Sequence, residues 1–135
     1  MVEMKLVYEG GLHTRAEHGP SAAQLETDAP LDNRGKGESF SPTDLLATSL
    51  ASCMLTTMAI AAEREGWRID GARARVLKHM DLDPRRRVGR LVIELEMPSG
   101  VPKQARETLE GSARGCPVAA SLHPDTLVDL SVSWG

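Results

Sequence analysis

From Leu45 to Ala62 the chain carries no charge, and this interval of eighteen residues between Asp44 and Glu63 limits the possible folds more than any other feature. Both ends are marked as helix ends. Ser41 can serve as the N-cap. Pro42 stands at the first helical position, where a missing N–H costs nothing, and Asp44 at the third can complete a capping box. Phe40 and Leu45 occupy the two positions of a hydrophobic staple. Gly66, after Arg64 and Glu65, is a stop signal. The expected helix therefore runs from Pro42 to about Glu65. An apolar stretch this long is also a candidate for crossing a membrane. However, it contains Thr48, Ser49, Ser52, Thr56 and Thr57 and is flanked by strand-like segments, so a buried core helix is the reading. A helix without a charged face is buried on nearly every side. In a chain of 135 residues one sheet covers only part of it, and a second subunit is the simplest cover for the rest. The aromatic content points the same way. Two Trp, one Tyr and one Phe supply little of the large buried area that aromatics normally provide.

The remaining pattern is α+β within a single domain, residues 1–135. Lys5 to Glu9, Leu12 to Glu17 and Ala22 to Thr27 read as three short antiparallel strands, followed by a loop from Asp28 to Ser39. Trp67 to Leu82 reads as a long strand. Ala72, Ala74, Val76, Met80 and Leu82 fall on one face of it, and Arg73, Arg75, His79 and Asp81 on the other. Val88 to Met97 is its hairpin partner across the turn at Pro84–Arg87. Helices are expected at Pro102–Ala113 and Pro117–Leu122, and a last strand at Thr126–Trp134. The first residues read as a strand rather than a secretory leader, so a reducing cytoplasm is the expected compartment. There, two cysteines are expected to be free, catalytic or redox-active rather than a structural scaffold. A net charge of −3 offers no basic surface for nucleic acid.

The two cysteines carry the chemistry. Cys53 lies in the middle of the charge-free helix, where a thiol is either a small buried hydrophobe or a sheltered nucleophile. Cys116, between Gly115 and Pro117, stands at a helix start, where it is either a cap or a thiol with a depressed pKa. On position alone Cys53 is the sheltered thiol and Cys116 the accessible one.

The run Phe40-Ser-Pro-Thr-Asp-Leu-Leu-Ala-Thr-Ser-Leu-Ala-Ser-Cys53-Met resembles the signature helix of the OsmC/Ohr family, the osmotically induced and organic hydroperoxide resistance proteins. Gly115-Cys116-Pro117-Val118 is similar to that family's second cysteine motif, and the Asp28-Ala-Pro30 loop and the order of elements agree. The resemblance implies an OsmC-like fold, with antiparallel sheets around a long central helix in an intertwined homodimer whose sites lie at the subunit interface. It implies thiol-dependent reduction of organic hydroperoxides in oxidative-stress defence, without a cofactor. Cys53 would be the attacking thiolate and Cys116 the resolving thiol. An external dithiol, such as a lipoylated protein, would regenerate the pair. The peroxidase members hold an activating arginine with a glutamate ten positions before the first cysteine. Here that position is Thr43, and Asp44 or Glu38 stands in for it. The arginine is then Arg15, with Arg34 as the alternative. The sequence is thus closest to the broader OsmC-like branch. The second function it allows is a dimer without peroxidase activity that binds an apolar small molecule at the interface.

Other features read as ordinary surface. Arg85-Arg86-Arg87 is a solvated turn, Gly35-Lys36-Gly37 is no phosphate loop, and His13, His18, His79 and His123 lack metal-ligand spacing. No metal or cofactor is expected, and the expected partners are a second copy, the hydroperoxide and the dithiol.

Overall fold

A computed structural model describes all 135 residues. The chain forms two compact units, residues 1–46 and 47–135. The first holds an antiparallel sheet of β1 (Met4–Gly10), β2 (His13–His18) and β3 (Gln24–Asp28). Leu12 and Ala22 take left-handed backbone conformations, so β2 and β3 each start slightly later than the side-chain pattern suggests. The loop after β3 folds tightly on itself. Gly35 N–H donates to the Pro30 carbonyl, and a Cβ at Gly35 would lie 1.7 Å from the Ala29 oxygen, so only glycine fits. The buried residues of this unit are the polar Thr27, Asp28 and Ser41, whereas Met4, Leu6, Val7 and Tyr8 of β1 are exposed.

The helix α1 (Pro42–Arg64) has the ends that its sequence encodes. Asp44 N–H donates to Ser41 Oγ at 3.0 Å, and Ser41 N–H donates to Asp44 Oδ2 at 2.9 Å, a reciprocal capping box. At the other end Gly66 is left-handed, Trp67 N–H donates to Ala62 and Gly66 N–H to Glu63, which closes the last turn as a Schellman motif. By length and hydropathy α1 could cross a membrane. One stripe of it is core: Ala47, Leu50, Ala51, Met54, Met58 and Ala62 are buried at i, i+3/i+4 spacing. The expectation of burial on nearly every side is not met within one chain. Leu46 and Ile60 are exposed, and Cys53, Leu55 and Thr57 are half-buried.

The second unit packs that stripe against a mixed sheet, β4 (Arg73–Asp81), β5 (Arg87–Met97) and β6 (Leu127–Trp134), in the order β4-β5-β6. Here the structure corrects the expectation of antiparallel sheets. β5 and β6 run parallel, because α2 (Lys103–Arg114) and α3 (Pro117–Ser121) carry the chain back to the end at which β5 started. β4 begins at Arg73 rather than Trp67. Gly66 and Gly71 both take positive φ, and residues between them form a return loop anchored by buried Ile69. Gly89 is the extra residue of a bulge, since His79 pairs with Arg90 and Met80 with Val88. The bulge shifts the alternation by one, so Val88 joins Leu91, Ile93, Leu95 and Met97 in the core. Leu82, expected on the apolar face of β4, lies beyond the strand and is exposed. α2 closes the core with Ala105, Leu109 and Ala113.

Candidate active site: two coupled thiols

Cys53 and Cys116 are both free thiols, and the second unit brings them near enough for each to shift the other's acidity. α1 fixes Cys53 one position before the buried Met54, so its sulfur sits at the border of the packed stripe. Cys116 is the N-cap residue of α3 and makes no side-chain cap bond. Pro117 has no N–H, so the first free amides of α3 are those of Val118 and Ala119. Both turn toward the sulfurs, Val118 N–H toward Cys53 and both amides toward Cys116. Thr57, one helical turn after Cys53, places its hydroxyl 3.9 Å from the Cys53 sulfur.

The two thiols are driven apart in acidity. Burial pushes the Cys53 thiol up, but hydrogen bonds from Val118 N–H, the Cys116 thiol and the Thr57 hydroxyl outweigh it, and the net shift is downward. Burial also pushes Cys116 up. The Ala119 amide opposes that, the Cys53 sulfur beside it adds to it, and the net shift is upward. Cys53 is therefore the more acidic thiol of the pair and Cys116 the less acidic one. This corrects the sequence reading in one respect. Cys116 is the fully buried thiol and Cys53 the partly exposed one. The helix-start amides do pull the Cys116 pKa down, but enclosure in the core and the neighbouring Cys53 sulfur outweigh them. No charged side chain is among the groups that shift Cys53.

The other residues singled out in the sequence are placed as follows. Asp44 is held in the capping box with Ser41. Thr43 accepts or donates a hydrogen bond with Ser41 Oγ at 3.2 Å. Glu38 is exposed, and its backbone N–H donates to Asp28 Oδ2. Arg34 is the left-handed residue that ends a short 3-10 turn, Leu31–Asn33. Arg15, on β2, bridges Glu9 at 3.3 Å and Glu26 at 2.9 Å. His13 shares that cluster. Its Nδ1 faces buried Asp28 at 2.5 Å, and its Nε2 lies 3.3 Å from Glu26 and 3.5 Å from Glu9. Ligand atoms of Glu9, His13 and Glu26 lie within 4.8 Å of one another, close enough for a cation. The Arg15 guanidinium bridges both carboxylates and His13 hydrogen-bonds to Glu26 and Asp28, so these groups already partner one another. Spacing along the chain could not show it, because strand register assembles it from three strands.

The contributions of Thr57 and the Val118 amide also escape the sequence reading. The i, i+4 relation of Cys53 and Thr57 was available as a signal; the amide was not, since it depends on where α3 docks.

The OsmC-like protein family model matches residues 35–131, which include α1 and both cysteines. The chain belongs to the OsmC-like family. Solved structures agree with this. A Psychrobacter arcticus 273-4 protein assigned to the osmotic stress and detoxification response is 44% identical over 98% of this chain and 96% of that one, with a TM-score of 0.92. The OsmC protein of Legionella pneumophila, described as an organic hydroperoxide resistance protein, shares the fold at 19% identity, with 98% and 96% coverage and a TM-score of 0.79. The organic hydroperoxide resistance protein OhrB of Bacillus subtilis does so at 14% identity, with 98% of both chains covered and a TM-score of 0.72. Among curated proteins no match is found. The fold of this OsmC-like protein is thus that of the OsmC and Ohr proteins.

Proposed function

We propose that this OsmC-like protein is a thiol peroxidase for organic hydroperoxides, with Cys53 as nucleophile and Cys116 as resolving thiol. The observation that carries the reading is the pair itself: two free thiols near enough to shift each other's acidity, one down and one up. A thiolate is the species that attacks a peroxide. Cys53 sulfur takes one oxygen, the O–O bond breaks, and the alkoxide gains a proton and leaves as the alcohol. The resulting sulfenic acid meets the Cys116 thiol, an S–S bond forms, and water leaves with the Cys116 proton. An external dithiol, for which a lipoylated protein is suitable, returns two electrons and two protons. Such a cycle belongs in a reducing cytoplasm.

A homodimer is part of the proposal. The exposed Met4, Leu6, Val7 and Tyr8 of β1 and the uncovered Leu46 and Ile60 of α1 support it, since exposed apolar side chains of this kind are what a subunit interface covers. Light scattering at micromolar concentration is expected to give twice the chain mass, and a monomer mass refutes that part.

Stopped-flow loss of cumene hydroperoxide tests the activity. Turnover well above free cysteine is expected, together with its loss in Cys53→Ser. A wild-type rate no better than free cysteine overturns the reading. One observation favours the second reading, a dimer that binds an apolar molecule. A cavity of about 460 Å³ lies between α1 and β4, lined by Ala51, Leu55, Ala74 and Val76 with the hydroxyls of Thr48, Ser52 and Thr56. Absent turnover together with ligand binding that survives Cys53→Ala would select it.

A further inference from the structure

Thr56 and Thr57 are neighbours on α1 and use their hydroxyls differently. Thr56 Oγ1 donates back to the main chain, to Ser52 O at 3.0 Å and Cys53 O at 3.1 Å. That is the usual fate of a helical threonine, whose hydroxyl finds the carbonyl one turn before it. Thr57 instead faces the Cys53 sulfur, Oγ1 to Sγ 3.9 Å. The spacing i, i+4 puts both side chains on one face, and of the two rotamers open to a helical threonine Thr57 takes the one that turns its hydroxyl to the sulfur. Thr57 is half-buried, which limits competition from water.

We infer that Thr57 is a positioning residue that donates its hydroxyl proton to the Cys53 thiolate and holds that sulfur in the orientation from which it reacts. The inference rests on the peroxidase reading for its purpose, but not for its test. Its physical basis is the group inventory around the sulfur. Cys116 on α3 is the titratable group that faces Cys53, and the remaining contacts are the Val118 amide and Thr57. No lysine, arginine, histidine or carboxylate contributes to the shift. Within the chain the donors to this sulfur are neutral, and Thr57 is the side-chain donor that is not itself a thiol. A thiolate attracts the O–H more strongly than a thiol does, so the 3.9 Å contact is expected to shorten when Cys53 ionises.

The test is the pH dependence of iodoacetamide alkylation of Cys53, followed on the Cys53 peptide by mass spectrometry in the full-length protein. Thr57→Val keeps the shape and removes the donor, while Thr57→Ser keeps the donor. A hydrogen bond to a charged group has the size of about one pKa unit, or about tenfold in thiolate population. The expected result is a midpoint about one unit higher in Thr57→Val, alkylation below the wild-type midpoint slower by about tenfold, and recovery of most of the difference in Thr57→Ser. A Thr57→Val protein with native circular dichroism and an unchanged midpoint overturns the inference. So does a Thr57→Ser midpoint as high as that of Thr57→Val, because packing rather than the hydroxyl would then be responsible. Failure of the peroxidase reading shows instead as absent hydroperoxide turnover in the wild type, whatever the alkylation profile.

Discussion

Replacing Cys116 separates two roles that its sulfur combines. As a hydrogen-bond donor it lowers the Cys53 pKa, and as a thiol it closes the disulfide. Cys116→Ala removes both. The lost bond is one to a charged acceptor, for which about 1.5 kcal/mol is a fair figure, or roughly one pKa unit. The sign follows from the folded state. Cys53 has a depressed pKa, so its thiolate is already populated below the ordinary thiol range, and losing a donor moves the midpoint up toward that range. At pH values below the wild-type midpoint the alkylation rate of Cys53 should fall about tenfold. Cys116→Ser restores an O–H donor of nearly the same size, so the midpoint should return toward the wild-type value. Neither variant can resolve a sulfenic acid. Both should react once with hydroperoxide and stop, with one added oxygen on Cys53 that dimedone captures. The assay is the paired alkylation profile and single-turnover mass measurement. An alkylation midpoint in Cys116→Ala equal to wild type would refute the claim that Cys116 acidifies Cys53. Continued multiple turnover in Cys116→Ser with a monothiol-free reductant would refute its role in resolution.

Further expectations concern the scaffold. Asp44→Ala breaks the reciprocal cap with Ser41 and should cost about 1 kcal/mol in urea unfolding. The Cys53 alkylation midpoint should stay put, and a shifted one would place Asp44 in the thiol site. Met58→Ala empties a fully buried position on the α1 stripe and should cost about 2–5 kcal/mol by the same measurement. The hydrogen bond to Asp28 raises the His13 pKa above 6.5, and that to His13 lowers the Asp28 pKa below 3.8. The His13 contribution to stability is therefore complete below pH 6.5 and is lost as pH rises through its folded pKa. The Asp28 contribution is present above pH 3.8 and is lost as pH falls through its folded value. An NMR titration should put the His13 midpoint above 6.5, and Asp28→Asn should bring it down. An Asn variant with an unmoved midpoint would show that the pair is not the cause.

α1 could be read from the sequence because its signals are local. Ser41, Pro42 and Asp44 act within one turn, and Gly66 is needed for its own positive φ, so neither end depends on distant packing. The parallel run of β6 against β5 was not readable in the same way. Alternation along a strand reports which side is buried but not the direction of its neighbour, and the return through α2 and α3 decides that. The bulge at Gly89 follows the same logic, since register is a property of two strands.

For the site, the sequence by itself determined that one cysteine lies within a charge-free helix and the other at a helix start before proline, and that both match the OsmC/Ohr motifs. Which thiol is the more acidic depends on tertiary structure: position alone left open whether Cys116 is a cap or a depressed thiol, and burial raises it. A thiol pKa is set by burial and by donors within hydrogen-bonding distance. At Cys53 those donors are Cys116 and the Val118 amide, far away in sequence, and Thr57, which is near in sequence but oriented by the helix. At Cys116 enclosure in the core outweighs the nearby amides. Sequence order places residues on elements. Which sulfur carries the charge depends on distances that exist only after those elements have packed.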